Sequence, residues 1–100
     1  MKDITIHRNS NQSVSVNIPH TIVRHSPDGF EFGYNGSGPS DLALNILYYF
    51  TNDLDFCNRH YVEFRQMYIA SLDRNVKDHR IIKEVIIDFI NGRRLLDDQI

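Results

Sequence analysis

Apolar and polar residues alternate in three short stretches of the first third of the chain. Ile4 and Ile6 flank a threonine, and a similar alternation runs through residues 14–18. A period of two is typical of strands with one buried face, and the polar turn-forming residues 9–13 between these stretches predict an antiparallel hairpin. The alternating aromatic side chains of residues 30–34 predict a third strand.

The third stretch leads into a glycine-rich turn and then into a strongly apolar segment. Gly36 and Gly38 allow a sharp turn because glycine adopts positive φ angles at little steric cost. Pro39 suits the first helical position, and Asp41 falls in the first turn, where the helix dipole favours a carboxylate. Residues 42–50 contain a single strongly polar side chain, which predicts a core helix buried on most sides.

Two more helices are predicted in the second half. Apolar residues recur at helical spacing through residues 57–72 and again through residues 82–90. We expect Asn75 to cap the last helix, and Gly92 to end it in a left-handed conformation. Strands followed by helices indicate an α+β fold in a single domain, residues 1–100, in which an N-terminal antiparallel sheet of about three strands packs against three C-terminal helices.

Composition limits the function classes. The chain has 100 residues, of which 41% are hydrophobic, and a net charge of −2, which argues against a general nucleic-acid binder and against a strongly acidic DNA mimic. Its one cysteine, Cys57, excludes an internal disulfide, and its place on an apolar stripe predicts a buried thiol. Neither a signal peptide nor a long apolar run is found, so we expect a cytoplasmic protein without a membrane segment. A homodimer would add stability to so small a chain.

The central turn also carries a family resemblance. Residues 29–43 read G-F-E-F-G-Y-N-G-S-G-P-S-D-L-A. This segment resembles the pattern G-F-x-W-G-Y-x-G-S-G-P-x-x-L-A, the hallmark of a family of small uncharacterised proteins found in phages, plasmids and prokaryotic genomes. Phe32 stands where the family has Trp, so the aromatic character is kept. The resemblance implies a mobile-element origin and implies no particular reaction.

The glycine-rich turn is the candidate binding site. Free backbone N–H groups at a helix start can hold a phosphate or a carboxylate, although the glycine spacing matches neither a P-loop nor a dinucleotide fingerprint. The alternative is that the glycines only shape the turn and let strand and helix pack closely. The candidate ligand- or partner-binding residues are Tyr34, Asn35, Gly36, Ser37, Gly38 and Ser40.

Catalytic and metal-binding patterns are incomplete. Ser37 lies on a sharp turn, but the surrounding residues do not satisfy G-x-S-x-G, and a role as helix cap fits it better. His60 and Glu63 are one helical turn apart, yet zinc usually requires three or four ligands. A Cys57–His60 pair would need a third group and an exposed cleft. We therefore predict no catalytic residue, no metal and no cofactor.

A group of basic residues suggests a further surface. Nucleic-acid contact requires such a patch, but nearby acidic residues weaken its field and favour a solvated face of mixed charge. The candidate nucleic-acid-binding residues are Arg74, Lys77, Arg80 and Lys83.

Three hypotheses follow. The first is a phage-type accessory protein that binds a host protein, for example as an inhibitor of a host defence system, through the turn or through the apolar C-terminal tail. The second is a binder of a nucleotide or another small anionic, phosphorylated ligand that uses the backbone amides of Gly36, Ser37 and Gly38, with Tyr34 stacked on the ligand. The third is a weak nucleic-acid-binding protein.

Overall fold

The chain folds as one three-stranded sheet and three α-helices, and the computed structural model describes residues 1–99. The predicted α+β fold class is therefore confirmed. The elements in chain order are β1 (Ile4–Arg8), β2 (Val14–Val16), α1 (Ser37–Thr51), α2 (Leu54–Phe64), a π-helix (Arg65–Ile69), β3 (Asp78–Ile81) and α3 (Lys83–Asp98).

The predicted hairpin forms, and β1 becomes the central strand of the sheet. The strand order is β2-β1-β3, and both pairings are antiparallel. Ile6 lies opposite Val16 in one neighbour, and Ile4 lies opposite Ile81 in the other. Ile4 and Ile6 are buried while His7 is exposed, as the alternation predicts.

The third strand comes from a different part of the chain than predicted. Residues 30–34 form an irregular segment, and the strand is instead Asp78–Ile81, which the sequence pattern assigned to the last helix. The aromatic segment cannot stay extended because Gly29 and Gly33 adopt φ angles of 116° and 88°. Its two phenylalanines are nevertheless buried.

α1 is the central core helix, as predicted. Residues 41–47 are all buried, and the same apolar cluster includes Ile4 and Ile6 of the sheet. The helix begins two residues earlier than expected, at Ser37, so Pro39 is its third residue rather than its first. Asp41 consequently lies beyond the first turn, and it is fully buried.

The last helix runs past its predicted end. α3 begins at Lys83 and continues through Gly92 to Asp98, so neither the cap at Asn75 nor the end at Gly92 is correct. Contacts with α2 hold the additional turns, because the carboxylate of Asp97 lies 2.9 Å from Nε2 of His60. Tertiary contacts thus override the local preference of glycine to end a helix.

Candidate functional site

Two glycines of the central turn make room for specific side chains. Gly33 adopts a φ of 88°, and a Cβ at this position would overlap the Cγ of Arg74. At Gly36, a Cβ would lie 2.5 Å from the ring of Tyr34. The Arg74 stem and the Tyr34 ring therefore pack directly against the backbone, and the Arg74 guanidinium lies 5.3 Å from the ring centroid.

The third glycine accommodates an acidic side chain at the start of α1. A Cβ at Gly38 would lie 2.6 Å from the Cβ of Glu31. The Glu31 carboxylate accepts two hydrogen bonds from Arg8, of 2.7 and 2.8 Å, and the Arg8 guanidinium lies 4.8 Å from the ring centroid of Phe32. An acidic residue of the protein itself thus packs beside the helix start that is one candidate site for an external anion.

A π-helix holds the turn from the opposite side. In the Arg65–Ile69 segment, Arg65 donates hydrogen bonds of 3.0 Å to Oδ1 of Asn35 and of 2.9 Å to Oγ of Ser40. The carbonyl of Ile69 accepts a 3.0 Å hydrogen bond from the N–H of Gly33. Single-turn π-helical segments occur frequently at functional sites, and here the segment fixes both ends of the turn.

A buried carboxylate anchors the neighbouring loop to α1. Asp41 accepts hydrogen bonds from the backbone N–H groups of residues 24–26, of which the one from His25 measures 2.9 Å, and it lies 3.1 Å from Nε2 of His20. Burial raises the pKa of Asp41, but these hydrogen bonds outweigh burial, so the pKa lies below its ordinary value. Asp41 is therefore held as a carboxylate and organises the loop.

A polar cavity of about 520 Å³ lies beside the turn. It is lined by Arg8, Gln12, Glu31, Tyr34, Arg74 and Asn75. A second cavity of about 250 Å³ shares Glu31 and Tyr34 with the first and reaches Ser37 and Gly38. The Tyr34 side chain, 39% exposed, thus borders both cavities.

The predicted turn residues divide into exposed and structural positions. Tyr34, Asn35 and Ser37 are exposed, whereas Gly38 and Ser40 are buried. The hydroxyl of Ser40 donates a 2.6 Å hydrogen bond to the carbonyl of residue 36. The expected cap at Ser37 is wrong, because the N-cap is the preceding glycine and no side chain caps the helix.

The predicted basic residues lie on different elements. Arg74 lines the larger cavity, Lys77 precedes β3, Arg80 lies on β3 and Lys83 begins α3. The Arg80 guanidinium is 3.2 Å from Asp3, which also accepts a 2.9 Å hydrogen bond from the backbone N–H of Lys83. Of the four, Arg74 is the one that joins the turn residues.

The remaining candidates form no second site. Cys57 is buried as predicted, and burial raises the pKa of its thiol. Within residues 1–99, no three His, Cys, Asp or Glu side chains are grouped so that they could hold a metal ion. The helices of that same region all lack the length and apolar content needed to cross a bilayer.

A series of glycine substitutions tests the packing of the turn. We expect Gly33→Ala to lower the free energy of unfolding by about 2 kcal/mol, because alanine is strained at this φ angle and displaces Arg74. Gly29→Ala is the matched control, since its φ is also positive but nothing lies within 4 Å of the added Cβ. Urea unfolding should show the larger loss for Gly33→Ala. Equal losses would mean that the Arg74 contact contributes nothing.

Comparison with known proteins identifies a family. The family described as "Family of unknown function (DUF6166)" matches residues 3–91, which include every element from β1 to β3 and most of α3. No curated protein and no solved structure matches the chain significantly. The match agrees with the expectation of an uncharacterised family, and the chain therefore belongs to the DUF6166 family, whose function is unknown.

Proposed function

We propose that this protein acts by binding a protein partner through the loop surface, defined as the exposed residues Tyr34, Asn35 and Ser37 together with Arg74. The observation that carries the proposal is that this turn is fixed in place by Arg65 while its tip remains exposed. A surface of this kind binds with a small loss of conformational entropy.

The residue types on the loop surface also favour a protein partner. Tyrosine and arginine are enriched among the residues that dominate binding energy at protein interfaces. The Arg74 guanidinium lies over the Tyr34 ring, 5.3 Å from its centroid, so the two side chains already contact each other before a partner binds. The loop surface therefore combines a favourable composition with a preformed geometry.

The origin of the partner is the second part of the proposal. The G-F-x-W-G-Y-x-G-S-G-P resemblance supports an accessory protein of a phage or another mobile element. Such a protein would act inside a host cell, and its partner would be a host protein, for example a component of a defence system that it inhibits.

A matched pair of tyrosine variants tests the loop surface. Tyr34 and Tyr49 are both 39% exposed, and each ring lies under a cation, Arg74 at 5.3 Å and Lys2 at 5.4 Å. We expect Tyr34→Ala to reduce capture of a specific partner from host lysate by about tenfold or more. Tyr49→Ala should leave capture unchanged.

Quantitative mass spectrometry of the captured proteins decides the test. A partner retained equally by both variants would contradict the proposed surface, and so would the recovery of no protein specific to the wild type. Circular dichroism of both variants before capture would show that each is folded.

A small-molecule function is the second candidate, because the larger cavity has a suitable size. Its volume of about 520 Å³ falls within the usual range for ligand sites, roughly 300–1,000 Å³. A nucleotide or phosphorylated ligand would lie in this cavity against Tyr34, since Glu31 already packs on Gly38 at the helix start. A thermal-shift screen over nucleotides at saturating concentration should then raise the melting temperature, and an unchanged value for every nucleotide would contradict this candidate.

A further inference from the structure

We propose that the larger cavity binds a carboxylate from an acidic segment of the partner protein, and that Arg74 is the residue that binds it. This inference rests on the proposed function and adds the chemistry of the partner. It is carried by the unequal states of the two arginines that line the cavity.

The first arginine is already paired with a carboxylate. Arg8 donates through Nη1 and Nη2 to both carboxylate oxygens of Glu31, and Nη1 also donates a 2.8 Å hydrogen bond to the carbonyl of Gln12. A bidentate arginine–carboxylate pair of this kind is among the strongest charge-assisted interactions in proteins. Arg8 and Glu31 therefore neutralise each other and form a fixed wall of the cavity.

The second arginine, Arg74, has no acidic partner in the part of the chain that the structure describes. Among residues 1–99, no carboxylate lies within 4.0 Å of the Arg74 guanidinium, and this side chain donates no hydrogen bond. Its stem packs on Gly33, and its guanidinium lies over the ring of Tyr34. Within the described residues, the guanidinium N–H groups of Arg74 are therefore free, and they form the planar fork that matches a carboxylate.

The surrounding charges favour a single carboxylate over a polyanion. Glu31 lines both cavities, and the carboxylate of Asp73, which directly precedes Arg74, accepts a 2.8 Å hydrogen bond from the N–H of Asn75 in the cavity lining. Because Arg8 is already paired with Glu31, the several charges of a phosphate chain would share the single cation of Arg74 and would lie near the carboxylate of Asp73. A peptide with one carboxylate can instead pair that group with Arg74 and place uncharged residues along the rest of the cavity.

The shape of the surface favours a peptide segment. The second cavity continues from the first across Tyr34 and reaches Ser37 and Gly38. An extended segment whose carboxylate pairs with Arg74 would therefore pass over the exposed tyrosine into the second cavity. A tyrosine between two depressions is a suitable anchor for such a chain.

The test is a titration of the isotope-labelled protein, followed by NMR, with two synthetic peptides. Both have blocked termini; one carries a single glutamate among serine and glycine residues, and the control replaces that glutamate with glutamine. We expect the glutamate peptide to shift the Nε–H signal of Arg74 and the amide signal of Gly33, with an affinity that falls as salt is added. The glutamine peptide should shift neither signal.

Two variants with equal charge changes make the test specific. Arg74→Gln should weaken binding of the glutamate peptide by about tenfold or more. Arg80→Gln removes the same charge from a guanidinium that is 63% exposed and pairs with Asp3 outside the cavity, and it should leave the affinity unchanged.

Four results would overturn the inference. They are equal binding of both peptides, no shift at millimolar peptide, equal losses in the two variants, and tighter binding of inorganic phosphate or ATP at Arg74. Capture of the partner protein from host lysate distinguishes a failure of the carboxylate inference from a failure of the proposed function. A partner lost in Tyr34→Ala but kept in Arg74→Gln would retain the loop surface and reject the carboxylate.

Discussion

Replacing Asp41 with alanine is expected to lower the free energy of unfolding by about 3 kcal/mol. The carboxylate is fully buried, and it accepts hydrogen bonds from three consecutive backbone N–H groups, those of residues 24–26. Alanine would leave these donors and the ring of His20 without their acceptor. Urea unfolding measures the loss, which is a large part of the stability of a small domain.

Two further substitutions identify the cause. Asp41→Asn keeps one acceptor oxygen, so it should cost less than alanine. Asp88→Ala removes an exposed carboxylate from α3 and should change stability little. If Asp41→Ala were no more damaging than Asp88→Ala, the loop of residues 20–26 would not depend on this carboxylate.

The same group implies a pH dependence. Hydrogen bonds depress the pKa of Asp41 in the folded state, so its contribution is fully present above the unfolded value of about 3.9 and is lost as the pH falls through the folded value. Wild-type stability should therefore fall more steeply in acid than that of Asp41→Asn. Parallel acid profiles, measured by urea unfolding at a series of pH values, would show that Asp41 does not titrate with folding.

The parts of the fold that were predicted correctly are those with local patterns. The β1–β2 hairpin follows from alternating residues on both sides of a polar turn, and α1 follows from an apolar run after glycines and proline. Each signal lies within a few residues of the element that it specifies. Because α1 is apolar on almost all sides, its burial could be predicted before the elements that pack against it were known.

The third strand depends on distant contacts, which local pattern does not reveal. Asp78–Ile81 is mostly polar, and it forms a strand because the second edge of β1 offers hydrogen bonds, with Ile81 opposite Ile4 and His79 opposite Ile6. Residues 30–34 have the better strand pattern, but the positive φ of Gly33 directs its N–H to the π-helix instead. Whether each segment became a strand was therefore decided by its hydrogen-bonding partners and not by its own sequence pattern.

The candidate site was only partly predictable for the same reason. The sequence indicated the turn that contains Tyr34, and it named Arg74 for a different role. It gave no signal that Arg8, Glu31 and Arg65 surround that turn, because they come from β1, from the irregular segment and from the π-helix. Glycines with side chains packed against them are a signal that can be read only when the partners are known.

The second large effect is expected at Phe32, which links the core to the cavity. Its side chain is 0% exposed, the ring of His79 lies 5.0 Å away, and the guanidinium of Arg8 lies 4.8 Å from the ring centroid. Phe32→Ala should lower the free energy of unfolding by about 3–5 kcal/mol, since it leaves a cavity under the sheet. It should also release Arg8 from its packed position beside Glu31.

Phe32→Leu separates these two effects. Leucine retains most of the buried volume and should cost about 1.5 kcal/mol or less, but it removes the aromatic face beneath Arg8. We therefore expect a folded variant in which the NMR signals of the Arg8 guanidinium shift while the core remains packed. An unchanged Arg8 environment would mean that Glu31 alone fixes this arginine, and that the wall of the cavity is built without help from the core.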